Sequence, residues 1–352
     1  MFVLWPMGGI KQRAKSFFNK RRVEASKVEK IKFEHVLRNG GVLLEKIISL
    51  SNGRQDVCIR RFTAEEITLV TNNFQECVMT RGDFIMFKGV LDDECSVLVY
   101  KPLIDPLNYD AFILGIAINA LMSHLKYILK LIGCCMEFEF PTLVYEYAGS
   151  TNLSDFHKGS RSISDRTLLW YRMIKISRDI ASMVVYFHGS FPLKLVHRNL
   201  HPFNVIVDQN GDAKLFNFTL AIAIPKGEPN VIDVPMGTLG FIDPEYLSTS
   251  SVSTKSDVYA FGVMLLEILT GDPLRLWKYQ VSIDEYVKQL FDFDELIINE
   301  MFHEVGRAEF DEVKNLILSC IKEYGEDRPE MIDVARRLHR IEKDLKMKGQ
   351  VL

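Results

Sequence analysis

The chain has 352 residues, 47% hydrophobic and 25% charged. These are the proportions of a globular protein with mass for one large domain or two smaller ones, and they exclude a disordered, collagen-like or fibrous chain. With 43 Lys and Arg against 46 Asp and Glu the net charge is −3, which argues against a generally basic nucleic-acid binder.

Taken in chain order, residues 1–32 are expected to form a mobile leader. Within it, residues 11–32 hold nine Lys and Arg against Glu24 and Glu29, a basic arm of +7 ahead of a remainder carrying −10. Such an arm is either a solvated leader or a contact surface, an anionic membrane face among its partners. The opening FVLWPMGGI has no charged stretch before its apolar part and is a poor secretory signal. Residues 42–50 (VLLEKIISL) have helical periodicity and predict a short helix entered through Asn39-Gly40-Gly41. Thr63 and Glu66 predict a capping box ahead of Ile67. From about 74 to 145 the pattern is strand-like, with VLVYK (97–101) and TLVYEY (142–147) as strands around one strongly apolar helix at 109–122. Beyond 150, helices are predicted at 166–188, 255–270, 282–291, 310–322 and 330–346. The expected fold class is therefore α+β, a small β-rich unit followed by a larger helical one, with divisions at 1–61, 62–146 and 147–352. No apolar run is long enough to cross a membrane. The cysteines at 58, 77, 95, 134, 135 and 320 form no CxxC or zinc pattern, and Cys134-Cys135, in an apolar run, read as reduced core thiols of a cytoplasmic protein.

Several stretches recur in a fixed order: HRNLHPFNVIVD (197–208), AKLFNFTLA (213–221), GTLGFIDPEY (237–246), SDVYAFGVMLLEILTG (256–271) and EDRPEM (326–331). Together with VLVYK and LVYEY upstream, their order and spacing resemble a eukaryotic protein kinase over about residues 62–345, which implies its bilobal fold. TNNF (71–74), LIGCCMEF (131–138) and GFIDPEY are similar to the plant receptor-like cytoplasmic kinases. NGGVLLEKIISLSNG (39–53) resembles the pseudokinase adaptors of a nucleotide-binding leucine-rich-repeat immune receptor.

The resemblance lets the parts of phosphoryl transfer be checked singly. The catalytic-loop Asp, which accepts the substrate proton, is Asn199, and an amide is no useful base. The metal-binding Asp of the later motif is Asn217, a weaker ligand for a hard cation. The glycine of that motif is Thr219, and the catalytic-loop lysine is His201. The three glycines of the phosphate-covering loop fall on Met79, Arg81 and Phe84. The helix that should offer a Glu to the β-strand lysine has only Asp110 at its start. Lys101, as that lysine, and Asn204, as a metal ligand, are the surviving positions for ATP and Mg²⁺. No cofactor is required, and any binding of ATP and Mg²⁺ is expected to be weak, the alternatives being an ordinary strand-edge lysine at Lys101 and a loop-bonding amide at Asn204.

Framework positions match the family. Glu245 is expected to pair with Arg328, Asp257 to accept backbone N–H groups beneath the catalytic loop, and Arg198 to be structural. Residues 220–236 (LAIAIPKGEPNVIDVPM) contain no Ser, Thr or Tyr, so the usual order-by-phosphorylation switch lacks an acceptor there. Ile222 and Ile232 in this stretch, and Ile113 and Ile116 on the apolar helix, are candidate partner contacts, the alternatives being a plain loop and an internal cover. Three functions stay open. One is an impaired kinase-like adaptor, whose partners by resemblance are a leucine-rich-repeat receptor, active cytoplasmic kinases and pathogen effectors. The others are a weakly active serine/threonine kinase and a nucleotide-binding switch. No nucleic acid is expected, and the location is cytoplasmic, extending to the inner face of the plasma membrane through residues 11–32.

Overall fold

The computed structural model describes residues 8–51, 57, 59–103, 109–148, 151–154, 166–270 and 307–347. The helix expected at 282–291 lies outside them. Contacts divide the chain into two compact units. One comprises Met1–Leu44, Ile59–Asp105 and Ile132–Val144; the other comprises Glu45–Cys58, Pro106–Leu131 and Tyr145–Leu352.

The first unit is built on a sheet of β1 (Arg60–Phe62), β2 (Cys77–Thr80), β3 (Phe84–Val90), β4 (Ser96–Pro102), β5 (Leu131–Cys135) and β6 (Thr142–Glu146). Their order is β1-β5-β6-β4-β3-β2. In β4 the run Val97–Tyr100 is buried throughout, because one face packs under helix α2 (Ala64–Val70) while the other also loses solvent. The α2 capping box closes both ways. Thr63 Oγ1 accepts the Glu66 N–H at 3.1 Å, and Glu66 Oε2 accepts the Thr63 N–H at 2.7 Å.

Helix α1 (Gly8–Ser51) corrects two expectations. It runs unbroken through Asn39-Gly40-Gly41, and it takes in most of the supposed mobile leader. Asn39 does not cap a new helix because its side chain is used elsewhere. It is buried, and its Nδ2 donates to the carbonyls of Met136 at 3.1 Å and Phe138 at 3.0 Å. His35 donates to the Glu137 carbonyl at 3.0 Å, and Lys32 pairs with the Glu137 carboxylate at 3.5 Å. These side chains, spaced three or four residues apart, give the helix one anchored face. The opposite face leaves Phe33, Leu37, Leu44 and Ile48 exposed.

The second unit is mainly helical: α3 (Tyr109–Met122), α4 (Arg166–Gly189), α5 (Pro244–Thr249), α6 (Thr254–Thr270), α7 (Arg307–Cys320) and α8 (Met331–Met347). Short ladders join β7 (Thr151–Asn152), β9 (Val205–Val207) and β10 (Ala213–Leu215), and pair β8 (Lys194–Val196) with β11 (Ile222–Ile224) and β12 (Val231–Ile232) with β13 (Ser251–Val252). Beyond its polar first turn helix α6 is apolar on almost every face, and residues 256–269 are buried, the pattern of a core helix. Amphipathic α8 lays Val334, Leu338, Ile341 and Leu345 along α4.

Helix α3 is buried on nearly every face, and Ile113 and Ile116 are both 0% exposed. They are core residues, which corrects their assignment as partner contacts. A Cβ on Gly115 would lie 2.3 Å from the Phe218 carbonyl oxygen, so only glycine lets α3 approach the segment that carries Asn217.

Candidate functional site

The loop after β8 is shaped from below. Asp257, in the first turn of α6, accepts the N–H groups of His197 at 2.8 Å and Arg198 at 2.9 Å and also bonds His188 Nε2 at 2.8 Å. These bonds help hold Arg198 in the left-handed region (φ +63°), a conformation costing a non-glycine residue about 1–2 kcal/mol. His197 packs beside the stacked rings of Phe187 and Phe218, with centroids at 6.0 and 5.1 Å from its own. Burial pushes its pKa from 6.5 down to about 4, with nearby Asp257 pulling it back only in part. The folded value lies below the unfolded one, so the folded chain keeps the ring neutral. The stability this provides is complete above pH 6.5 and is lost as pH falls from there towards 4. Urea midpoints should therefore decline over that window, and His197→Gln should flatten the decline.

The catalytic-loop positions form one neutral hydrogen-bonded chain. Thr219 Oγ1 donates to Asn217 Oδ1 at 2.6 Å, Asn217 Nδ2 to Asn204 Oδ1 at 3.0 Å, and Asn204 Nδ2 to the Asn199 carbonyl at 2.9 Å. Thr238 Oγ1 donates to Asn199 Oδ1 at 2.8 Å. All three asparagines are buried. Asn217, rather than Thr219, takes the left-handed backbone (φ +62°), a conformation asparagine tolerates. His201 Nδ1 accepts the Phe203 N–H at 3.3 Å and caps the turn of residues 202–204, so it serves as a cap where the family has a cation.

A divalent ion does not fit this arrangement. Mg²⁺ favours charged oxygens. Here Asn204 Oδ1 and Asn217 Oδ1 are neutral, and each already accepts a neighbour's hydrogen. Among the described residues no cluster of three or more His, Cys, Asp or Glu is placed to hold a metal. The contact between Asn217 and Asn204 closes the space between the two would-be ligands.

In the first unit the register of β3 and β4 relocates Lys101. Its ladder partner is Ile85, and it shares a sheet face with Val97, Val99 and Phe87. Its ammonium sits 4.4 Å from the centre of the Phe74 ring, a cation–π contact. Phe74 reaches it from a left-handed turn, with Asn72, Asn73 and Phe74 all at positive φ. The opposite face carries Phe84, Met86 and Tyr100, where Phe84 occupies the third glycine position of the phosphate loop. Phe84 and Tyr100 stack at 4.5 Å between centroids, and both are buried. A phosphate beneath that loop would face Tyr100, not Lys101. This corrects the assignment of Lys101: strand periodicity of two puts adjacent residues on opposite faces.

The framework holds with a change of partner. Arg328 makes a two-pronged pair with Asp243, each arm 2.7 Å, and both residues are buried. Its other donors reach the carbonyls of Lys322, Lys255 and Glu323. Glu245 instead accepts the Gly325 N–H at 2.6 Å. The expected Glu245–Arg328 pair is thus corrected to Asp243–Arg328. Asp243 sits before Pro244 as the cap of α5, and both its oxygens face the guanidinium.

Arg198 directs its guanidinium to three groups: the Leu220 carbonyl at 2.5 Å, the Tyr246 hydroxyl at 3.2 Å, and the Asp233 carboxylate. The Asp233 contact was not foreseen from the sequence. The signal was present, since Glu228 and Asp233 are the only acids in an acceptor-free stretch. Ile222 is half-buried in β11 opposite Val196, while Ile232 is 70% exposed.

Residues 101–338 match the family model described as a protein kinase domain, and the chain belongs to that family. Its β-rich and helical units are the two lobes of the bilobal α+β kinase fold. The chain is 35% identical over 336 residues to the non-functional pseudokinase ZED1 of Arabidopsis thaliana, covering 90% of this chain and 99% of that one. It is 32% identical to the serine/threonine-protein kinase ZRK1 of the same plant, over 88% of this chain and 93% of that one. It is 31% identical to wall-associated receptor kinase 1, of which it spans 45%. The likeness is thus to kinases of the ZED1-related type, whose named members include both pseudokinases and a kinase.

Proposed function

We propose that the chain is a catalytically impaired, kinase-shaped adaptor in plant innate immune signalling. It bridges a leucine-rich-repeat immune receptor and active receptor-like cytoplasmic kinases or pathogen effectors. One observation carries the reading: a neutral asparagine–threonine chain replaces the two carboxylates of phosphoryl transfer. The buried Arg328–Asp243 pair and the Asp257 support remain alongside it. The stacked Phe84 and Tyr100 add a second obstacle to ATP. Exposed apolar side chains offer contact surfaces: Phe33, Leu37, Leu44 and Ile48 on α1, and Ile232, Val234 and Leu239 beyond the catalytic loop. The basic residues 11–32 support a contact with an anionic membrane face, in keeping with a cytoplasmic protein at the inner face of the plasma membrane.

The test has two arms. Transfer of the ATP γ-phosphate, with Mg²⁺ or Mn²⁺, should not exceed that of an Asn199→Ala control. In plant extract, Leu44→Glu or Ile232→Glu should reduce co-purification of a leucine-rich-repeat receptor or a cytoplasmic kinase at least tenfold. Transfer abolished by Asn199→Ala would establish an enzyme instead, and undiminished co-purification in both variants would remove the contact surfaces.

A further inference from the structure

In a switchable activation segment, the catalytic-loop arginine meets a phosphate added to a hydroxyl side chain, and the segment orders when that anion arrives. Here residues 220–236 have no hydroxyl to modify, yet the arginine is kept and its side chain is only 1% exposed. A guanidinium so buried cannot wait unpaired, because an orphan charge in that position is costly. The group that satisfies it is the carboxylate of Asp233.

The surroundings fix the pair from both sides. Arg198 is held through its backbone by Asp257 and through its guanidinium by the Leu220 carbonyl and the Tyr246 hydroxyl. The same Tyr246 hydroxyl donates to the Val234 carbonyl at 2.6 Å. The Asp233 N–H donates to the Ser250 carbonyl at 2.9 Å, extending the β12–β13 ladder in which Val231 faces Val252 and Ile232 faces Ser251. Residues alternate across this strand. Val231 and Asp233 are only partly exposed, whereas Ile232 and Val234 are 70% and 67% exposed.

We propose that Asp233 is an encoded replacement for the activation-segment phosphate, a positioning residue that keeps residues 231–234 paired to β13 at all times and holds Ile232 and Val234 outward without any modification. One carboxylate balances one guanidinium, where a phosphate would bring close to two negative charges. The segment therefore has a single ordered state and no second one awaiting a kinase. This inference does not depend on the adaptor reading, since it concerns order in the free chain.

Hydrogen exchange on the full chain, treated with phosphatase, provides the test. Wild type should keep slow amides at 231–234 and 250–253 after treatment. Asp233→Asn, which preserves shape and removes charge, should speed exchange there about tenfold or more while peptides of α4 and α8 stay unchanged. Asp233→Glu should restore most of the protection. Loss of protection in wild type on phosphatase treatment would overturn the proposal. So would unchanged exchange in Asp233→Asn, which would leave the ladder and Tyr246 as the whole cause of order.

Discussion

Asp243→Ala should lower the unfolding free energy by about 3–5 kcal/mol, the penalty for stranding a buried charge. Glu245→Ala, two residues on, should cost less, about 1–3 kcal/mol, the range for a backbone donor left without its acceptor. The difference follows from where the charges lie. Arg328 uses all five N–H donors, two on Asp243 and three on the Lys322, Lys255 and Glu323 carbonyls. Removing Asp243 leaves a guanidinium that is 2% exposed with no anion, and the cap on the Glu245 N–H at 3.0 Å goes with it. Removing Glu245 leaves only the Gly325 N–H unsatisfied. Denaturant unfolding of the two variants decides it. Equal losses, or a larger loss at Glu245, would return the structural role to the residue first favoured from sequence.

That pair also marks how far the sequence could be read. The motif DPE-Y and the distant Arg328 announced a buried ion pair, but two acids stood in the motif. Choosing between them needs the direction each side chain leaves the first turn of α5. Lys101 failed in the same way at a finer scale: VLVYK is plainly a strand, yet a one-residue error in a period of two exchanges the nucleotide face for the α2 face. In α3, the apolar residues at almost every position were legible, whereas the burial of Ile113 and Ile116 depends on what surrounds the helix. The asparagines were the most legible part of the site. A lost carboxylate is a lost charge wherever its side chain points, so Asn199 and Asn217 carried their meaning without coordinates. What the sequence left hidden is that Thr219 and Thr238 hold them. Both are ordinary residues until the backbone turns them inward.

Asn217→Asp tests the site from the opposite direction. In a kinase frame merely lacking its ligand, restoring the carboxylate should create a metal site. Here the change removes the amide that donates to Asn204 Oδ1 at 3.0 Å and sets two acceptors against each other. The position is 2% exposed, and burial of an unpaired carboxylate should cost about 3 kcal/mol at neutral pH. Burial raises the folded pKa of the introduced carboxyl above its unfolded value, so the loss should be full above the folded pKa and fade as pH falls through it. Mg²⁺ should not recover the stability, because one carboxylate beside the Asn204 amide is a weak site for a hard cation when no phosphate oxygens complete it. Adding Asn199→Asp should leave phosphate transfer at background, although a general base in a working frame is worth about 10²–10⁴-fold. Thermal unfolding with and without Mg²⁺, alongside transfer from labelled ATP, reads both claims. Recovery of stability by Mg²⁺ together with a hundredfold gain in transfer would mean that charge alone was missing. Background transfer and no recovery would mean that the hydrogen-bonded chain itself excludes the metal.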